Sequence, residues 1–285
     1  MGFKNRGKQQ RFIRKKKKGT AVGDNKNRGE NIQKKNLEGN LRLNKYIAHS
    51  GFCSRRDADE HIKNGEVMVN EVVVTEMGMQ ISLTDRVEVK GQKLSLENFV
   101  YILLHKPKNT ITTTSDEKDR QTVIDLVEKA TGYRVYPVGR LDRNTTGLLL
   151  LTNDGDLAHR LMHPSYSVRK TYEMQTAKRM SVAQMEKLIQ GVDLEDGPAK
   201  AYNVLPSDEH PSTILLSIYE GRNRQIRRMA EALGHEVIKL KRIEFAGLNL
   251  KLLRVGRWRQ LRQKEINNLR RMVKLDPLDF GKKED

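Results

Sequence analysis

Apolar residues frame this chain before any single side chain does. Over residues 1–40 they show no period and are outnumbered by basic residues, the pattern of a disordered basic arm. From residue 41 a compact pattern begins. Leu43, Tyr46 and Ile47 fall at i, i+3 and i+4, which predicts a short amphipathic helix. Ser50-Gly51 breaks it. Ser54 followed by Asp57 has the form of a capping box opening a second helix, and Gly65 closes that helix. EVMVN and EVVV then alternate across a turn, and RVEVKG supplies a further short strand.

Beyond a polar linker near residues 91–98, the remaining pattern is one of short strands and few helices. VYPVG reads as a strand, RLDRNTTG as a tight loop and LLLLT as a buried strand. VRKTYEMQTA and TILLSIY also read as strands. SVAQMEKLIQG predicts a helix with Val182, Met185 and Ile189 on one face. In EGRNRQIRRMAEALGH, Ile226, Met229, Ala230 and Leu233 fall at i, i+3, i+4 and i+7, giving a helix with one apolar face. No internal repeat is visible. The expected class is α+β, divided into an arm at 1–40, a small module at 41–93, a larger domain at 98–275 and a C-terminal tail at 276–285.

Charge changes the picture. The 285 residues carry a net charge of +18, and residues 1–40 hold 13 Lys+Arg against 3 Asp+Glu, which leaves +8 for the remainder. Such an excess attracts polyanions, nucleic acid first. The arm reads as a non-specific RNA arm or a solubilising tail, and the like-charge block favours the first. The single cysteine, Cys53, leaves no internal disulfide or multi-cysteine zinc site. The N-terminus has no apolar segment of a secretory signal, position 6 is Arg rather than the Ser or Thr of a myristoylation motif, and Leu148 to Leu151 is far too short to cross a bilayer. A cytoplasmic protein without a membrane partner is expected.

Four groups of residues could carry chemistry or binding. Arg55 and Arg56 lie in the first turn of a predicted helix, where the macrodipole disfavours cations. An external phosphate would favour them there, and a solvated pair is the alternative. Asp142 stands in a loop between Arg140 and Arg143, ahead of the four leucines; it is a turn former, an ion-pair partner or a catalyst. In the later helix, at about 100° per residue, Arg224 and Arg228 point away from the apolar face and could meet RNA phosphates. Arg227 sits at its border, roughly 60° from Ala230, where a half-buried guanidinium needs a carboxylate. Asp142 is the candidate partner. Tyr172, in a strand with Lys170, is a core residue or a platform for a flipped base.

Two family resemblances rest on these residues. LRLNKYIAHSGFCSRRDADEHIKNGEVMVN resembles the small RNA-binding module of the ribosomal protein S-four type. GRLDRNTTGLLLLTNDG, Lys170-Thr171-Tyr172 and GRNRQIRRM resemble, in order, the aspartate, lysine-x-tyrosine and late arginine motifs of the bacterial ribosomal RNA pseudouridine synthases of the RsuA/RluB/RluE/RluF family. HKPKNTITTTS, RQTVIDL, RLMHPS and GRWRQL resemble its other landmarks, and RQTVIDL and RLMHPS look closest to the RluB type. The likeness runs from about Leu41 to Val273.

The resemblance implies a catalytic domain on a mixed, mostly antiparallel sheet with flanking helices. It implies isomerisation of a specific uridine in ribosomal RNA to pseudouridine, large-subunit 23S rRNA before small-subunit 16S rRNA. Asp142 would be the essential carboxylate, attacking the anomeric carbon or taking a proton from the ribose. Tyr172 would stack on the uracil and Arg227 pair with Asp142. Arg140 would fill the space left by the flipped base, and Leu240 would touch that base or pack as an ordinary strand residue. Lys170, Arg55, Arg56, Arg224 and Arg228 complete the expected RNA contacts. The reaction needs no cofactor, nucleotide or metal, and a monomer acting on ribosomal RNA or a subunit precursor suffices.

This sequence departs from the family pattern at Asn109, where glycine is usual, and at Arg262, which removes a usual threonine N-cap and is expected to loosen the last helix. Asn tolerates a left-handed turn. His159 and His163 could share a metal, without an HExxH motif to support it. Cys53 has no base beside it in the sequence. The competing class is a non-catalytic RNA-binding or ribosome-assembly protein, which the arm and the first module alone would satisfy.

Overall fold

A computed structural model of the protein describes residues 40–280; the basic arm therefore lies almost wholly outside the described residues. The first module contains β1 (Leu41–Arg42), α1 (Leu43–His49), α2 (Arg55–Lys63), β2 (Val67–Val69), β3 (Val72–Val74), β4 (Gln80–Ile81), β5 (Val87–Val89) and β6 (Gln92–Lys93). Strands β3-β2-β5-β6 form one antiparallel sheet, and β1 pairs with β4. The expected capping box is present: the Asp57 N–H donates to Ser54 Oγ (3.2 Å), and the Ser54 N–H donates to the Asp57 carboxylate (3.3 Å). Leu43, Tyr46 and Ile47 of α1 and Ala58 and Ile62 of α2 pack on Val67, Val87 and Val89. The stretch read as a polar linker is partly strand. Leu94 is buried in the same core and its N–H donates to the Val87 carbonyl, because one apolar residue among polar ones suffices to close a small core.

The rest of the chain builds a nine-stranded sheet from β7 (Tyr101–Lys106), β8 (Tyr136–Pro137), β9 (Thr146–Thr152), β10 (Lys170–Thr176), β13 (Asn203–Pro206), β14 (Thr213–Ile218), β15 (Val237–Phe245), β16 (Leu248–Asn249) and β17 (Trp258–Gln260). A separate hairpin joins β11 (Val192–Leu194) to β12 (Gly197–Ala199). The main order is β13-β14-β10-β15-β9-β7-β17, with every pairing antiparallel except β9 with β15. The helices are α3 (Gly155–Met162), α4 (Val182–Gln190), α5 (Gln225–Ala232) and α6 (Gln263–Met272).

Four consecutive leucines in β9 are explained by burial on both faces. Leu149 and Leu151 join the core that receives Leu188 of α4 and Ile226, Met229 and Ala230 of α5. Leu148 and Leu150 join the opposite core with Leu157 and Leu161 of α3 and Ile266 and Leu269 of α6. Gly147 lets the parallel partner approach: at φ +111°, a Cβ there would lie 2.2 Å from the Arg242 carbonyl oxygen.

Three expectations are corrected. Helix α4 buries Leu188, with Met185 partly buried, while Val182 and Ile189 stay exposed; its stripe runs i, i+3 from Met185 because the helix lies against β13. Arg262 does not leave α6 uncapped. The Glu265 carboxylate accepts the Arg262 N–H (2.9 Å) and two hydrogen bonds from Arg259 (2.8 and 2.7 Å). The segment taken as a tail is packed where it is described: Leu278 is buried and exchanges two hydrogen bonds with the Asn267 side chain.

Candidate active site

The loop bearing Asp142 is fixed from beneath. It leaves β8, turns at Gly139 (φ +76°) and enters β9. Thr112 Oγ1 donates to the Leu141 carbonyl (2.8 Å) and accepts the Leu141 N–H (3.3 Å). The Asn109 N–H donates to the Arg143 carbonyl at 3.0 Å, with Asn109 at φ +60°; the left-handed turn survives the change from glycine. Lys106, the last residue of β7, is fully buried, and its Nζ donates to the carbonyls of Asp142 (3.1 Å), Arg143 (3.3 Å) and Thr145 (2.9 Å), besides that of Pro107 (3.1 Å). Burial draws its pKa down to about 8, against the pull of the Asp142 carboxylate.

Asp142 and Arg227 meet as the helix geometry predicts. Arg227 is buried on α5, its Nη1 donates to the Val237 carbonyl (3.0 Å), and its Nε lies 3.8 Å from Asp142 Oδ2. At that separation the two charges attract without a hydrogen bond. The carboxylate oxygens therefore keep their accepting capacity for a substrate. Burial and the nearby Arg224 lower the Arg227 pKa, and Asp142 opposes them.

A recess of about 80 Å³ opens here, lined by Arg140, Asp142, Tyr172, Arg224, Arg227 and Leu240 among others. Tyr172 and Leu240 are buried, 7% and 5% exposed, in neighbouring strands β10 and β15. Elements far apart in the chain thus bring a half-buried carboxylate, a buried cation, an aromatic ring and an apolar wall together. Such a site can hold a planar base and direct one carboxylate at its sugar.

The sequence profile described as RNA pseudouridylate synthase matches residues 100–232, and that of the S4 domain matches residues 41–87. A Bacillus subtilis (strain 168) relative described as ribosomal large subunit pseudouridine synthase B is 49% identical over 245 residues, spanning 85% of this chain and 98% of its own. The chain belongs to the RNA pseudouridine synthase family. An Aquifex aeolicus (strain VF5) relative described as an uncharacterized RNA pseudouridine synthase is 38% identical, over 82% of this chain and 96% of its own. A crystal structure described as a pseudouridylate synthase superposes with a TM-score of 0.57 at 30% identity, covering 80% of this synthase and 99% of that chain.

Of the remaining expected site residues, Arg140 and Arg224 border the recess and the others fall elsewhere in the synthase. Arg228 points away from the apolar face but is engaged: its guanidinium donates to both Asp196 carboxylate oxygens (2.9 and 2.8 Å) and to the Asn223 carbonyl (2.9 Å). An arginine so paired is a brace between α5 and the β11–β12 hairpin rather than a free phosphate contact. Lys170 Nζ donates to the carbonyls of Val168 (3.1 Å) and Tyr219 (2.7 Å) and is half-buried, with its pKa drawn to about 8 by desolvation and then by Arg242. Its first role is to tie the end of β14 to β10. Arg224 and Arg140 remain exposed at the recess. Arg55 and Arg56 stay exposed in the first turn of α2, outside the recess lining. His159 and His163 lie 5.5 Å apart between ring centroids, and the described residues contain no group of three or more potential metal ligands. Burial raises the Cys53 thiol to about 11, so it is poorly nucleophilic.

Sequence reasoning missed Lys106 and Gln225. Lys106 could have been noticed as a lysine ending the apolar run YILLHK before a proline, since a buried ammonium demands acceptors. Gln225 carries no such signal. It is buried in the recess wall, and its amide donates to Glu220 (2.5 Å).

Proposed function

We propose that this synthase converts one uridine of 23S ribosomal RNA to pseudouridine, using Asp142 as the essential carboxylate. The observation that carries this reading is the meeting of Asp142, Arg227 and Tyr172 in one recess. The large-subunit assignment draws on the 49% identity to the Bacillus subtilis relative of that description. In the reaction the N1–C1′ bond breaks, the base turns, C5 bonds to C1′, and the C5 proton leaves as N1 gains one. Atoms and electrons balance without a co-reactant.

Arg227 keeps Asp142 aimed into the recess. Tyr172 stacks on the uracil and Leu240 closes the apolar side. Arg140 takes the place vacated by the flipped base, whose extrusion costs a few kcal/mol. Arg55, Arg56 and Arg224 meet phosphates. Among the described residues no helix is long and apolar enough to cross a membrane, in keeping with work on ribosomal RNA in the cytoplasm.

The test is carbodiimide-adduct primer extension across both ribosomal RNAs. The samples come from a deletion strain complemented with wild type or with Asp142→Asn. One stop in 23S rRNA, present with wild type alone, is expected. A stop in 16S rRNA overturns the subunit assignment. Identical patterns in both strains overturn the catalytic reading and return the chain to a binding role.

A further inference from the structure

The recess has a neighbour. A groove of about 700 Å³ is lined by Tyr219 and Glu220, while Ile218, Gly221 and Arg222 of the same chain segment line the recess. The same five-residue segment, 218–222, therefore borders both openings, which is the ground for placing one RNA strand across them. Tyr202 and Tyr219 form an edge-to-face pair in the groove, with ring centroids 4.8 Å apart. Both are open to solvent, Tyr202 at 59% and Tyr219 at 37%. Large rings so exposed leave much of their apolar area uncovered, an arrangement that suits a stacking partner.

The surrounding charge favours a nucleic acid. Lys200 is exposed on the lining, and Arg169 lies within electrostatic reach of both phenols with about half its side chain exposed. Arg169 is partly neutralised by Glu244 at 2.7 Å. The acidic lining residue, Glu220, accepts from Gln225 and Arg222 and so is compensated. Lys170 anchors the Tyr219 carbonyl, which ties the backbone bearing this ring to β10.

Resting on the function proposed above, we propose that this groove binds an unpaired nucleobase of the same RNA strand, close to the uridine held in the recess, with Tyr202 as its stacking platform. Stacking accepts any base face, and Lys200 and Arg169 are placed for the flanking phosphates. The groove thus adds affinity for the nucleotides beside the target, while the recess supplies the chemistry.

The probe is a short RNA spanning the uridine located by primer extension, with derivatives lacking one neighbouring base each. Tyr202→Ala should weaken binding roughly 5- to 100-fold and leave the single-turnover rate at saturating enzyme unchanged. Tyr202→Phe should bind as wild type does. With wild-type protein alone, one base-free position should reproduce the loss, and that same position should cost Tyr202→Ala nothing further. Equal affinities of wild type and Tyr202→Ala, or strictly additive losses at every position, overturn the proposal and leave the groove to a protein partner. If turnover persists in those cases, the proposed function stands while the groove assignment falls. If no uridine is modified at all, both fall.

Discussion

The loop of Asp142 and the first turn of α2 are both polar, arginine-rich and close to the surface, yet they are held differently. Beneath Asp142, a fully buried ammonium gathers three carbonyls of the loop and a threonine hydroxyl clamps a fourth residue. Around Arg55 and Arg56, the Ser54–Asp57 capping box fixes the backbone and the guanidinium groups extend into solvent. A carboxylate that must reach one atom of a sugar tolerates little displacement. An arginine that meets a phosphate can search with a long side chain, because the attraction is long-ranged and weakly directional. Rigidity is concentrated where the proposed chemistry is, and withheld where contact suffices.

The contrast breaks most directly at Lys106. Lys106→Met removes the donor to the Asp142 loop while filling its volume, and turnover should fall on the order of 10²-fold, as expected for a displaced reacting group. RNA affinity should hold. The stability loss should be smaller, about 2 kcal/mol by denaturant unfolding, because losing a buried charge offsets part of the unpaired carbonyls. Unchanged turnover would show that the loop keeps its place without the ammonium.

Next in size is the contrast between neighbours on α5. Arg227→Lys keeps a charge but loses the planar fork, and single-turnover rates should drop about tenfold or more. Arg228→Ala should change turnover less than about twofold and barely move stability, as is usual for an exposed pair. Equal effects at the two sites would erase the distinction between a buried partner of Asp142 and a surface brace.

On the binding side, Arg55→Ala with Arg56→Ala should weaken RNA binding several-fold. The slope of log affinity against log salt should shallow by up to about two, one for each phosphate no longer neutralised, with the turnover rate at saturation retained. An unaltered slope would make the pair a solvated surface feature. The smallest effect concerns the frame. Glu265, held at about 2 by the Arg259 guanidinium, has its folded pKa below the unfolded one. Its contribution is therefore complete above about pH 4.5 and lost as pH falls toward 2. Wild type should lose a small part of its stability over that window from this group, because solvent screens the pair, and Glu265→Gln should remove that part of the slope in urea midpoints against pH.

Much of this architecture was legible in the residues. Period and capping marked α1, α2 and α5, and the four leucines marked β9 as buried. The apolar face of α5 put Arg227 at its border, which pointed to Asp142 before any distance was known. Other expectations failed for identifiable reasons. Val182 and Ile189 are apolar, but α4 meets the sheet through Leu188. Arg228 resembles a free cation in sequence, and Asp196, thirty-two positions earlier, claims it.

Sequence by itself determined the local elements, the excess of positive charge and the order of the motifs, because helix faces, strand alternation and caps depend on residues a few positions apart. Only the tertiary structure decided which cations are occupied and which remain available, that Lys106 holds the Asp142 loop, and that Tyr202 and Tyr219 share a groove beside the recess. Those outcomes depend on the pairing of β7, β9, β10, β14 and β15 across long stretches of chain. Burial and partnership follow from that pairing, and no spacing along the sequence encodes them.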